Sequence, residues 1–208
     1  MFTFIYERKF WPEYSNIYKG GILVDLTGKK ILIDPGHGGD FPGKTYKNRM
    51  EKDVTLKMSK ILRRLLRDEG AKVYMTRTSD EDFGGRNADN DINKRVKYIN
   101  EEFPSVDVLL SIHVNTERGR AGMFYPINGK ASKTLAHNLA KKYGTFIASA
   151  GAWEADFAIL RDTNRAGAKV LIELDQIHKN WLDDEEDLDR AAFLIVAGLY
   201  DYFREMGI

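Results

Sequence analysis

Three residues stand at the ends of apolar runs that read as buried strands. His37 follows Lys30-Ile31-Leu32-Ile33, His113 follows Val108-Leu109-Leu110-Ser111-Ile112, and Glu173 follows Lys169-Val170-Leu171-Ile172. The first lies in Asp34-Pro35-Gly36-His37-Gly38-Gly39, where a Pro-Gly turn ends the run and glycines leave room beside the imidazole. A neutral imidazole binds zinc at about 2.0–2.1 Å. Glu51, where the loop after His37 returns to the same sheet edge, adds a carboxylate. Two histidines and one carboxylate leave a fourth zinc position open for water, which is the pattern of a catalytic site. Glu173 would then be the general base for that water. These residue types point to a metal-centred hydrolase.

Each residue also has a plainer use. His37 can be a loop histidine beside a tight turn, and His113 a core histidine satisfied by one hydrogen bond. Glu51 suits the first turn of a helix, where the dipole favours an acid. A carboxylate at the end of an apolar strand needs a partner, and an ion pair from Glu173 to an arginine such as Arg161 would supply one. Asp175, two residues on in an extended strand, shares its face and is the alternative base. Asn115 either serves a turn or orients the ligand shell and substrate. His137, on a helix, and His178, in a charged loop, read as surface residues.

The elements that must carry these residues alternate. Strands are expected at 30–34, 72–76, 107–112, 122–126 and 169–174, with a further short one at 157–160. Helices are expected at 51–69, about 92–103, 131–148 and 184–204. Val54, Met58, Ile61, Leu62, Leu65 and Leu66 recur at helical spacing in the first of them, and Gly70 ends it. Strands alternating with helices imply βαβ units and a mainly parallel twisted sheet with helices on both faces. In such sheets ligands bind outside the carboxyl ends of the strands, where His37, His113 and Glu173 fall. Residues 35–50 and 79–91 read as loops.

The length of 208 residues suits one domain. Residues 1–28, with Phe2, Phe4, Tyr6, Phe10, Trp11, Tyr14 and Tyr18, read as an aromatic extension packed on it, and 29–208 as the catalytic domain. A formal charge of +1 gives no general drive toward nucleic acid or acidic membranes. With no cysteine, thiolate zinc sites are excluded, and any zinc must be held by histidine and carboxylate. No segment is long enough to span a membrane, and no secretory signal is expected at the N-terminus. Nothing in the sequence specifies an oligomeric state.

Seven motifs then occur in the order and rough spacing of one family: DPGHGG at 34–39, EKD at 51–53, TR at 76–77, NKRVKYIN at 93–100, SIHVN at 111–115, ILR at 159–161 and VLIELD at 170–175. The chain resembles a zinc-dependent N-acetylmuramoyl-L-alanine amidase of the amidase 3 family, over about residues 29–206. The resemblance implies a six-stranded α/β domain, one zinc ion on His37, Glu51 and His113, and Glu173 as catalytic acid/base. Asn115 and Arg161 are carried as substrate contacts. The implied reaction is hydrolysis of the amide between the lactyl group of N-acetylmuramic acid and L-alanine in peptidoglycan, at the bacterial cell wall. A phage lysin and a trimmed secreted enzyme both fit. The chain departs from the family pattern at Gly167-Ala168, where a proline is usual. It departs again at 175–180, where glycine, an apolar residue and Ser-Asn are usual. Two rivals are a zinc peptidase or amidase on another substrate and a catalytically silent wall-binding module.

Overall fold

The computed structural model describes residues 25–208. The predicted N-terminal extension lies outside the described residues except for its last four. Of these, Leu26 is fully buried, and its N–H donates to the Glu69 carbonyl at 2.9 Å.

The centre of the molecule is the sheet that the apolar runs demand. Strand β1 (Lys30–Pro35) buries Ile31, Leu32 and Ile33 completely, because both of its faces are covered. A two-stranded hairpin follows, β2 (Thr45–Tyr46) and β3 (Arg49–Met50). The remaining strands are β4 (Lys72–Met75), β5 (Val106–Asn115), β6 (Gly122–Tyr125), β7 (Gly151–Glu154) and β8 (Ala166–Gln176). The main sheet has six strands in the order β4-β1-β5-β8-β6-β7. The first four are parallel, β6 runs antiparallel to β8, and β7 is parallel to β6.

Helices cover both faces. Helix α1 (Glu51–Asp68), α3 (Lys130–Tyr143) and α5 (Glu185–Met206) pack Met58, Leu62, Leu139, Leu194 and Leu199 against Ile31, Ile33, Leu110 and Ile172. On the other face α2 (Ala88–Glu102) and the single turn α4 (Ala158–Arg161) set Val96, Ile99, Ile159 and Leu160 against Leu32, Leu109 and Leu171. The ends of these helices are chemically specified. Asn87 caps α2 by accepting from the Asn90 N–H, and Asp184 caps α5 by accepting from Glu186 and Asp187.

The structure departs from the expected elements in several places; among them, α3 ends at Tyr143 and not at 148, and α2 begins at Ala88 inside the expected loop. Ala158–Arg161 form a helical turn, not a strand: Leu160 and Arg161 both donate to the Phe157 carbonyl, and Ile159 and Leu160 are buried in the cluster with Leu32, Leu109 and Leu171. Strand β7 was not expected, because Gly151–Glu154 is a partly exposed edge segment paired only with β6 and has no apolar run. The loop at 35–50 contains the β2–β3 hairpin, turned by Lys47 at φ 52°. Strand β5 runs on to Asn115, so His113 lies within it.

Candidate active site and metal centre

His37, Glu51, His113 and Glu173 meet at the carboxyl edge of the central strands. His113 on β5 and Glu173 on β8 are register partners in adjacent parallel strands. Glu51 opens α1 and is 1% exposed. Its Oε1 accepts the Val114 N–H at 2.9 Å and faces His113 Nδ1 at 3.0 Å. Its Oε2 accepts the Lys44 N–H at 2.8 Å and faces His37 Nε2 at 3.2 Å. The imidazoles stand edge to face, with centroids 5.1 Å apart. Two glycines permit this crowding. A Cβ on Gly36 would lie 2.4 Å from the His113 ring, and one on Gly43 (φ +70°) would lie 2.5 Å from Glu51 Oε2.

Burial would raise the Glu51 carboxyl, but the hydrogen bonds and charge of His113 and His37 hold it well below the usual carboxylate range. His113 moves the other way. Burial would lower it, and the bond to Glu51 raises it above an ordinary imidazole. Among the described residues, His37, Glu51 and His113 form the group able to hold a metal ion, with donor atoms within 4.8 Å of one another. Tetrahedral zinc bonds place donors about 3.3 Å apart, so the donor set and its spacing fit zinc.

Glu173 stands across the cavity from no arginine. Its Oε2 is sealed from solvent and has no hydrogen-bond partner among the described residues. Burial pushes the carboxyl up to about 7, with the His113 charge opposing the rise and Glu51 adding to it. The cavity, about 200 Å³, is lined by these four residues, by Lys44 and Asn115, and by an apolar wall that includes Ile92, Phe157, Ile159 and Leu171.

The other expected contacts distribute differently. Asn115 lines the cavity, and its side-chain amide donates to the Arg120 carbonyl at 3.2 Å. Arg161 lies in exposed ion pairs with Asp156 and Asp162, both at 2.8 Å, and does not line the cavity. Asp175 does not share the Glu173 setting. A register shift between His113 and Asn115 intervenes, and its buried carboxylate accepts from the Trp181 indole at 2.9 Å. His137 is exposed, as expected. His178 is half-buried against Tyr46.

What sequence reasoning missed is the support under His37. That residue adopts φ 61°, a left-handed backbone that is strained for a side chain other than glycine. Its carbonyl accepts from Arg95 Nη2 at 2.7 Å. The Pro35 carbonyl accepts from Arg95 Nη1 at 2.7 Å and from Arg77 Nε at 3.0 Å, and the Gly36 carbonyl from Arg77 Nη2 at 2.9 Å. Both arginines are buried, and Arg95 pairs with buried Asp34 at 3.1 Å. Burial would raise the Asp34 carboxyl, but Arg95 and the Thr76 and Ser111 hydroxyls hold it below its ordinary value. A signal was present in the sequence. Arg95 falls on the same helical stripe as Ile92, Val96 and Ile99, where an apolar residue is expected. The loop at 79–91 adds a brace: the Gly39 N–H donates to Asp80 and the Asp40 N–H to Asp82.

Layering, strand order and donor group together define an α/β domain with a place for a metal ion at the ends of its central strands. Comparison with known proteins narrows this class. A family described as N-acetylmuramoyl-L-alanine amidase, amidase 3, matches residues 31–200. The probable cell wall amidase LytH of Staphylococcus saprophyticus is 38% identical over 213 residues, covering 94% of this chain and 66% of that protein. The germination-specific N-acetylmuramoyl-L-alanine amidase of Bacillus subtilis is 30% identical over 201 residues, covering 88% of this chain and 84% of that protein. Among solved structures, the CwlD amidase of Clostridioides difficile, determined in complex with the GerS lipoprotein, superimposes with a TM-score of 0.75 at 25% identity, over 85% of this chain and 99% of that one. The chain belongs to the amidase 3 family of N-acetylmuramoyl-L-alanine amidases. It spans 66% of the length of the staphylococcal relative. No helix among the described residues is long and apolar enough to cross a membrane.

Proposed function

We propose that this chain hydrolyses the amide between N-acetylmuramic acid and the L-alanine of the peptidoglycan stem, at the bacterial cell wall, with one zinc ion held by His37, Glu51 and His113. The observation that carries the reading is the carboxyl of Glu173, half-sealed, unpartnered on one oxygen and set beside the donor group. A structural carboxylate in that position would have found an arginine.

When bound, zinc supplies Lewis acidity and lowers the pKa of water toward about 7. The rest is the work of this chain's residues. Glu51 is kept ionised, and two backbone N–H groups fix its carboxylate. Arg95 holds the His37 carbonyl, and Arg77 those of Pro35 and Gly36 before it, so that the imidazole points at Glu51. Glu173 takes a proton from the attacking water and returns it to the departing nitrogen of alanine. A carboxyl near neutrality is suited to both transfers. The apolar wall of Ile92, Phe157, Ile159 and Leu171 limits water around that exchange.

The test is digestion of purified peptidoglycan with and without a chelator, followed by product masses. Free stem peptides beginning with L-alanine, lost with chelator and restored by zinc, are expected. Cleavage elsewhere in the stem would make the chain a peptidase. Pelleting with walls without any bond broken would make it a binding module.

A further inference from the structure

One residue in the cavity takes no direct part in that chemistry, although its charge opposes the rise of the Glu173 carboxyl. Lys44 is the only lysine or arginine among the lining residues, and its ammonium makes no ion pair among the described residues. Its position is fixed all the same. The Lys44 N–H donates to Glu51 Oε2 at 2.8 Å, and its carbonyl accepts the Glu51 N–H at 2.8 Å. Gly43 precedes it in a left-handed turn pressed against the His37 ring. The Lys44 backbone is therefore hydrogen-bonded directly to Glu51 of the donor group, while the side chain stays exposed.

An exposed cation at the mouth of the cavity, felt by Glu173 but in no ion pair among the described residues, suits an anionic substrate. Peptidoglycan limits the choice. The lactyl carboxyl and the alanine carboxyl are both consumed in amide bonds. The first free carboxylate along the stem is the α-carboxylate of the γ-linked D-glutamate, one residue beyond alanine and about 3.8 Å further in Cα spacing. Walls differ here, because amidation of that group to isoglutamine removes the charge. We infer that Lys44 binds this carboxylate and makes the enzyme selective for stems whose second residue is the free acid. The inference rests on the muramoyl-alanine amidase reading and names the substrate class of the same site.

The probes are two synthetic muramyl peptides, N-acetylmuramoyl-L-alanyl-D-isoglutamate and its isoglutamine amide. The full chain, loaded with zinc, is given each, and kcat and KM are read separately by product mass. Equilibrium binding of each peptide to the Glu173→Gln chain is measured by calorimetry, so slow turnover of a small substrate does not leave the comparison open. A partly exposed ion pair predicts about a fivefold preference for the acid, carried in KM and in binding and reduced by high salt. Lys44→Met should raise KM for the acid to the value for the amide, and Lys44→Glu should reverse the order. Equal use of both peptides by the unaltered chain would overturn the inference, as would a preference that survives Lys44→Met. So would a loss in kcat alone, equal for both peptides. Failure to release any stem from whole walls is a different result and sinks the amidase reading itself.

Discussion

Replacing Arg95 by alanine should uncouple the metal centre from the fold in a measurable way. The guanidinium is 4% exposed and its partner Asp34 1% exposed. Removing one side of a buried pair leaves the other charge uncompensated, at a cost of about 3–5 kcal/mol. For a chain of this size each kcal/mol lowers Tm by about 2–4 °C, so a fall of roughly 6–20 °C is expected in calorimetry. The pH dependence has a sign. In the unaltered chain the Asp34 carboxyl lies below its ordinary value, so it contributes stability above that value that is lost as pH falls through the folded one. In Arg95→Ala burial dominates and the carboxyl rises, so the variant binds an extra proton when folded. Its deficit relative to the unaltered chain should therefore shrink as pH drops from 7 toward 4. The double variant Asp34→Asn with Arg95→Met removes both charges and should recover at least half of the lost stability. It leaves the His37 carbonyl without its donor and the Pro35 carbonyl with Arg77 alone, so zinc affinity should stay about ten- to a hundredfold weaker. A single variant within about 1 kcal/mol of the unaltered chain, or a double variant that regains full zinc affinity, would refute the reasoning.

Three further outcomes are expected. Glu173→Gln should retain stoichiometric zinc by elemental analysis and lose about 10²–10⁴ in kcat on cell walls, whereas Asp175→Asn, at a carboxylate committed to Trp181, should stay within tenfold. His113→Ala should lose bound metal on dialysis while the far-ultraviolet circular dichroism stays unchanged, because the ligand is not part of the apolar core. Gly43→Ala should fail to bind zinc in calorimetry, since the added Cβ meets Glu51 and the His37 ring at 2.5 and 2.6 Å on a backbone with φ +70°.

The parts of the fold that could be read directly were those buried on both faces. The centres of β1, β5 and β8 (residues 31–33, 108–112 and 170–172) are apolar runs because they are buried, and the polar residues that follow them stood out. β7 escaped because an edge strand built from Gly151, Ala152 and a half-exposed Trp153 has no run to read. α4 escaped because a four-residue apolar segment has no period. The donor group was legible residue by residue, since His37 and Glu51 sit at element boundaries and His113 directly follows the apolar run inside β5. The clamp was legible only in part: Arg95 stands out on the apolar stripe of α2, but the backbone carbonyls that it and Arg77 hold are announced by no side-chain pattern. The position of Asp175 turned on one register shift, an event that strict alternation cannot foresee.

The left-handed backbone at His37 has a consequence for how the protein comes into being. A nascent chain has no reason to hold that conformation until α2 has docked and delivered Arg95. The grip for the cation therefore matures after the hydrophobic framework. A metal ion at this site would then be captured after folding, the reverse of a zinc finger, where the metal drives the collapse. An unfinished copy of this hydrolase would remain inert, even in surroundings rich in zinc.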